Sequence, residues 1–225
     1  MSRRPAPADA ATARERRRVG AGTSVGEVLD RLARIRVAGA LNIYDEDDCV
    51  GWGDEPGQAT VRRRALGRHL TARWTAPVVL VGEAPGKDGA RWSGVPFTSC
   101  RQLSGSGPTE PTATTVHRVL SELGCEREVL LWNASMLFAP GNRDPRRAEV
   151  ETCSHVLDLV CRGRVVLAVG RFAQAATGAP YIRHPSHGGA PWFAEGLRVG
   201  LRSPPSTDLR EALDRLDQAR LARPA

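Results

Sequence analysis

Nowhere does this chain run through the roughly 20 consecutive apolar residues that a helix needs to cross a bilayer, so no helical span is expected. The arginines near the start are followed by no apolar segment, which argues against a secretory signal and makes a cytoplasmic location the expectation. Cysteine is scarce. Cys49, Cys100, Cys125, Cys153 and Cys161 are odd in number and include no C-x-x-C pair, so neither a disulfide framework nor a zinc ribbon is expected and the thiols should be free. Histidines and cysteines do not fall at spacings that gather three or four ligands, so no metal is implied. A Walker lysine–serine pair, a full G-x-G-x-x-G and internal repeats are also missing. Lysine is the rarest basic residue, Lys87 standing alone among 32 Lys and Arg. That bias, with abundant alanine, is what a GC-rich genome produces, and it weakens charge as a guide to function.

The net charge of +7 and pI near 9.9 nevertheless favour an acidic polymer as partner, because arginines that neutralise phosphates release condensed counterions. Much of the excess is local: residues 1–20 hold six arginines against Asp9 and Glu15, leaving +3 for the rest. Residues 1–23, rich in Ala, Arg and Pro, have too few large apolar side chains to offset their ordering entropy and read as a disordered basic arm. Residues 24–225 are long enough for one domain with a well-buried core.

Order should begin at Ser24, which with Glu27 makes a capping box ahead of Val28, Leu29, Leu32 and Ile35 on one helical face, the helix ending near Arg36. Segment 42–57 reads as loop, and 58–73 as a helix whose five arginines, unaccompanied by any acid, suggest a solvated face. Three short apolar runs, 78–81, 129–132 and 165–169, look like strands buried on both faces. Helical patterns lie between them, one through Val116, Val119, Leu120 and Leu123 and another from Asp144-Pro145 to Gly163. A fourth strand is expected near 197–201, then a final helix over 207–221, capped by Ser206 or Thr207, with Leu209, Leu213 and Leu216 packed inward. Alternating strands and helices predict an α/β fold, a three-layer α/β/α sandwich around a mostly parallel four-stranded sheet.

Ligands of such sheets bind beyond the carboxyl ends of the strands. There the chain carries Gly82-Glu83-Ala84-Pro85-Gly86 and Gly94-Val95-Pro96-Phe97 after the first run, then Asn133 after the second. Pro140-Gly141-Asn142-Arg143-Asp144-Pro145 follows, and Arg183-His184-Pro185-Ser186-His187-Gly188-Gly189 comes after the third run. Each piece alone is compatible with a phosphate turn, core packing or an ordinary loop.

Together and in this order they resemble the uracil-DNA glycosylase superfamily, particularly its GEAPG type (family 4), over residues 78–190. The resemblance implies a monofunctional enzyme that flips uracil out of DNA and hydrolyses its N-glycosidic bond, initiating base-excision repair. Family 4 enzymes hold an iron–sulfur cluster on four cysteines. Here the N-terminal pair is absent, Leu137 stands at the third position and only Cys153 survives, so a cluster-free relative with no cofactor is expected. The expected partner is uracil-containing DNA, the expected state a monomer, associated with the nucleoid when on DNA.

Within that resemblance Phe97 would stack on the flipped base and Asn133 would read its polar edge, rejecting cytosine because an amino group reverses the donor–acceptor pattern. His184 would donate to the oxyanion developing on O2, a contact of a type that contributes about 2.7–4 kcal/mol. Glu83 is the candidate for activating water, its alternative being a carboxylate that accepts bonds from the following turn; other branches carry an Asp where this chain has Ala84. Gly82, Ala84, Pro85 and Gly86 complete the substrate site, and thymine would be excluded near Gly86 and Lys87. Pro185, Ser186, His187 and Gly188 would enter the minor groove. Lys87 is read as a phosphate contact or a solvated side chain rather than the Schiff-base amine of a bifunctional lyase. Arg143 is read as a phosphate ligand, with a salt link to Asp144 as the competing reading. Three rivals stand beside this assignment: a glycosylase for hypoxanthine, xanthine or mismatched thymine, a non-catalytic uracil-DNA-binding protein, and an unrelated nucleotide-binding α/β protein.

Overall fold

The computed structural model describes residues 23–49, 57–202 and 207–222; the predicted basic arm and the proposed Ser206 or Thr207 cap lie outside the described residues or side chains. A four-stranded sheet of order β2-β1-β3-β4 forms the middle layer, with β1 Val78–Gly82, β2 Val129–Asn133, β3 Val165–Val169 and β4 Tyr181–Ile182. All pairings are parallel, and β1 and β2 run in register from Val78 opposite Val129 to Gly82 opposite Asn133.

Strand residues alternate between two apolar layers, as the period of two requires. Val79, Val81, Leu130 and Trp132 face a cluster with α1 (Val25–Ala33), α3 (Gln58–Arg73) and α7 (Arg147–Cys161). Val78, Leu80, Val129, Leu131 and Leu167 face the other, with α6 (Pro111–Glu122), α9 (Ala190–Arg202) and α10 (Thr207–Leu221). The architecture is thus the expected α/β/α sandwich. Short helices α2 (Glu46–Cys49), α4 (Ala90–Ser93), α5 (Cys100–Ser104) and α8 (Arg171–Thr177) punctuate the connections.

Helix α1 starts as expected, Ser24 Oγ accepting the Glu27 N–H at 3.1 Å, but ends at Ala33, before Arg36. Leu209 and Leu213 of α10 are buried and Leu216 packs partly against them.

Two expectations need correction. The fourth strand is Tyr181–Ile182, not 197–201, which belongs to α9. Leu197-Arg198-Val199-Gly200-Leu201 alternates like a strand, yet Phe193, Leu197 and Gly200 share a buried helical face. Gly200 is there for close approach: a Cβ would overlap Leu167, and one at Gly196 would lie 2.8 Å from Ile182 Cγ2. The arginine-rich face of α3 is also not wholly solvated. Arg62 is fully buried, its guanidinium donating to Ile43 O at 3.4 Å, and Gly94 packs directly on its backbone.

The sheet order fixes where a ligand can bind. The chain leaves β1 toward one edge to form β2, then crosses to the other side for β3, so the carboxyl ends of β1 and β3 diverge into a crevice.

Candidate active site

A cavity of about 520 Å³ opens at that crevice, within the size range of small-ligand sites. The ends of all four strands contribute: Gly82 and Glu83 from β1, Asn133 from β2, Val169 and Gly170 from β3, Arg183 and His184 from β4. Ala84, Pro85, Gly86 and Phe97 line it as well, so every predicted substrate-binding residue meets in one place.

Phe97 holds a left-handed backbone, φ 52°, which costs a non-glycine residue about 1–2 kcal/mol. Bonds around it hold this geometry. His117 Nε2 lies 2.9 Å from Thr98 Oγ1, the His117 ring also donates to the Phe97 carbonyl, and Ser93 Oγ donates to Val95 O at 3.2 Å. The ring is thereby turned over β1. Its Cζ would lie 2.5 Å from a Cβ at position 82, and Asn133 Oδ1 would lie 2.7 Å from it. Gly82 is therefore the residue that lets an aromatic ring and an amide converge at the strand end.

Asn133 is 3% exposed, and its Nδ2 has no hydrogen-bond partner among the described residues. Leaving such a buried donor unmet costs about 1–3 kcal/mol, a deficit that a ligand acceptor would remove. Across the cavity, His184 Nδ1 accepts the Ser186 N–H at 3.2 Å and lies 2.7 Å from Ser186 Oγ. A backbone N–H can only donate, so Nδ1 carries the lone pair and the proton sits on Nε2. Burial, then the charges of Arg183 and His187, push this imidazole below its ordinary pKa and keep it neutral at physiological pH. His184 is thus set up as an Nε2–H donor.

Glu83 is half-buried, and its carboxyl is hydrogen-bonded to Asp144 of the PGNRDP segment. Burial and the neighbouring Asp144 charge both raise its pKa. The same two loops are joined again where Asn142 Oδ1 accepts the Lys87 N–H at 2.9 Å. The partner of Glu83 is therefore a second carboxyl, not the turn that follows it.

The predicted DNA-contacting residues divide. His187, φ 50°, and Gly188 are exposed at the tip of the loop after β4, Ser186 is half-exposed and Pro185 is buried. Lys87 is exposed and does not line the cavity, a poor place for a Schiff-base nucleophile. Arg143 lines the cavity but is committed: it donates to both carboxylate oxygens of fully buried Glu149, at 2.5 and 3.2 Å, and to Gly39 O at 2.8 Å. The carboxylate it pairs with is Glu149, while its bond to Asp144, 2.9 Å, goes to the backbone carbonyl oxygen. Arg143 is thereby a clamp on the start of α7, and its salt link is to Glu149 rather than to Asp144.

Several lining residues escaped the sequence reading, Glu110, Arg171 and Tyr181, and Arg183 was quoted in its motif without a role. Arg171 stands immediately beyond β3, where the strand-end rule points, and Glu110 precedes Pro111 at the start of α6. Glu110 packs against Gly86 and Gly89, and burial followed by the charge of Asp88 raises its pKa.

Residues that would hold an iron–sulfur cluster do not fit one. Leu137 is fully buried, and Cys153, 1% exposed, accepts the Met136 N–H at its Sγ, 3.5 Å from the nitrogen. Among the described residues no three His, Cys, Asp or Glu side chains gather as a metal site, and all five cysteines are free.

Fold and site together define an α/β protein with a nucleotide-sized, polar cavity at the switch point of a parallel sheet. Residues 69–210, more than half of the chain, match the uracil DNA glycosylase superfamily, and the chain belongs to that superfamily. A type-4 uracil-DNA glycosylase of Archaeoglobus fulgidus is 36% identical over 102 residues, 44% of this chain and 45% of that protein. The match thus spans less than half the length of that curated relative. The crystal structure of wild-type Pedobacter heparinus SMUG2 shares the fold, with a TM-score of 0.52 at 11% identity, over 86% of this chain and 98% of that one.

Proposed function

We propose that this protein is a monofunctional DNA glycosylase that excises uracil. The observation that carries the reading is the orphaned Nδ2 of buried Asn133, facing the same cavity as the Nε2–H donor of neutral His184. Uracil offers O4 as acceptor and N3–H as donor to one amide, and cytosine reverses that pattern. Phe97 supplies a face for the base. As the glycosidic bond lengthens, negative charge accumulates on O2, where a preorganised Nε2–H stabilises it at no reorganisation cost. A neutral imidazole suits this role because it donates without first giving up a proton. Water is then directed to the sugar by Glu83 in its ionised form. Membership of the superfamily supports DNA as the substrate polymer, and with no amine in the cavity among the described residues the chemistry stops at an abasic site. The protein works as a monomer and without an iron–sulfur cluster.

Single-turnover release of uracil from labelled single strands and from U·G and U·A duplexes tests this. Wild type should yield abasic product, and His184→Ala and Asn133→Ala should each lower the rate by about a hundredfold or more. Release of hypoxanthine, xanthine or mismatched thymine in place of uracil would reassign the base. Tight binding of uracil-DNA without product would make this a binding protein.

A further inference from the structure

The cavity is lopsided in charge. Glu83 and Glu110 stand where β1 and α6 approach it, while Arg171 and Arg183 stand just beyond the ends of β3 and β4. Arg143, the other guanidinium of the lining, is spent on Glu149.

Arg171 is the first residue of α8, and its guanidinium lies 3.9 Å from the centroid of the Tyr181 ring. It is also ion-paired with Asp217 of α10, whose side chain is 7% exposed and accepts a second bond, 2.9 Å, from Arg220 Nε. An aromatic face and a buried carboxylate thus hold Arg171 in place although its own side chain is 61% exposed. Arg183 is half-buried, lines the same cavity beside His184 and makes no ion pair among the described residues. On its other side it shares a small cleft with Asp217 and Arg220. Two guanidinium groups, Arg171 and Arg220, bond Asp217, while Arg183 lines the cavity without an ion pair among the described residues, so this side of the cavity carries positive charge.

The formal charge of a deoxyuridine nucleotide resides on its phosphate, not on its sugar or base. A planar guanidinium donates to phosphate oxygens, and Arg171, already held by the Tyr181 ring, Asp217 and Gln174 Oε1 at 2.9 Å, loses little freedom on binding. The acidic side of the cavity repels the same group. We propose that Arg171 and Arg183 form a clamp for the DNA phosphate adjoining the extruded nucleotide, with Asp217 and Tyr181 as positioning residues. The inference rests on the glycosylase reading above and adds the orientation of the strand: phosphate toward β3 and β4, sugar toward Glu83.

The test is equilibrium binding of a single-stranded oligonucleotide carrying one 2′-fluorinated deoxyuridine, which resists cleavage, across a series of salt concentrations. Arg171→Ala and Arg183→Gln should each reduce the slope of log K against log salt by about 0.7, the double variant by about twice that. Asp217→Asn keeps the charge of Arg171, so affinity should fall with the slope retained. Arg171→Lys should restore the slope but only part of the affinity. Circular dichroism confirms folding, and Arg183→Met provides a second charge-removing variant should Arg183→Gln be unfolded. A double variant with an unchanged slope overturns the clamp. Wild type that binds the oligonucleotide but excises nothing from a cleavable one would sink the glycosylase reading while the slopes still judge the clamp. Wild type that fails to bind DNA at all overturns both.

Discussion

The carboxyl groups of Glu83 and Asp144 share a hydrogen bond, joining the strand-end turn after β1 to the loop before α7. Burial penalises the charged form of Glu83, and the neighbouring Asp144 charge adds to the effect. Glu83 must be ionised to direct water. Because its pKa is raised, activity should fall with decreasing pH at a point above that of an ordinary glutamate. Asp144→Asn removes the like charge and offers an amide donor, both of which favour ionised Glu83, so the acid limb of kcat/KM should move to lower pH with little change at pH 8. Glu83→Gln should lose about a hundredfold at pH 8, with the gap to wild type closing as the pH falls and wild-type Glu83 is protonated. An acid limb that does not move in Asp144→Asn would separate Asp144 from the reaction.

Gly82→Ala should be among the most damaging small substitutions in the cavity. The added Cβ meets Phe97 Cζ at 2.5 Å and Asn133 Oδ1 at 2.7 Å, and neither has room to retreat, since Phe97 is held in its left-handed backbone and Asn133 ends a paired strand. Displacing groups that orient a reactant by about 1 Å costs on the order of a hundredfold in rate. A loss of that size in kcat/KM with the far-ultraviolet spectrum intact is the expected result; activity near wild type would mean that the two side chains do not act from their observed positions.

Much of this site was legible in the sequence because strand ends are marked by abrupt changes from apolar runs to Gly, Asn or His, and the parallel sheet collects those ends. Gly82 and Asn133 follow from that rule, whereas Phe97 and His184 stand out only through the order of motifs that resembles the superfamily. What was hidden depends on long-range contact. Arg143 reads in sequence as a phosphate ligand or a partner of Asp144, and its bond to Gly39 O, 104 residues away, has no local signal. Arg171 acquires its position from Tyr181 and Asp217, the latter 46 residues away. The fourth strand was misplaced because a two-residue strand carries almost no periodic signal, whereas the glycines of α9 mimic a strand break. Arg62 was misread for a related cause: its burial is made by Ile43 and Gly94, which its own helix does not reveal.

Purified protein should carry no iron. The third cluster position is occupied by buried Leu137, and the thiol of Cys153 is engaged with the Met136 N–H inside the core. Burial also raises the Cys153 pKa, which disfavours the thiolate a cluster requires. Cys153→Ala should therefore keep full excision activity and lose only modest stability, through one small buried group. Stoichiometric iron with broad absorbance near 400 nm would overturn this.

His69 gives the fold a pH dependence distinct from that of the reaction. The ring is buried, its Nε2 accepts the Leu131 N–H at 3.1 Å, and burial with the charges of Arg73 and His117 lowers its pKa to about 3. In the unfolded chain the same ring titrates near 6.5. Below that value the unfolded state binds a proton that the native state refuses, so the contribution is fully present above about pH 6.5 and declines progressively as pH falls toward 3. Urea unfolding at pH 7.5, 6 and 5 should show wild type losing stability through this window. His69→Phe should start about 1–3 kcal/mol lower, because the Leu131 N–H is left without an acceptor, and should lose less as the pH falls. Parallel pH profiles for the two proteins would assign the acid sensitivity to other groups.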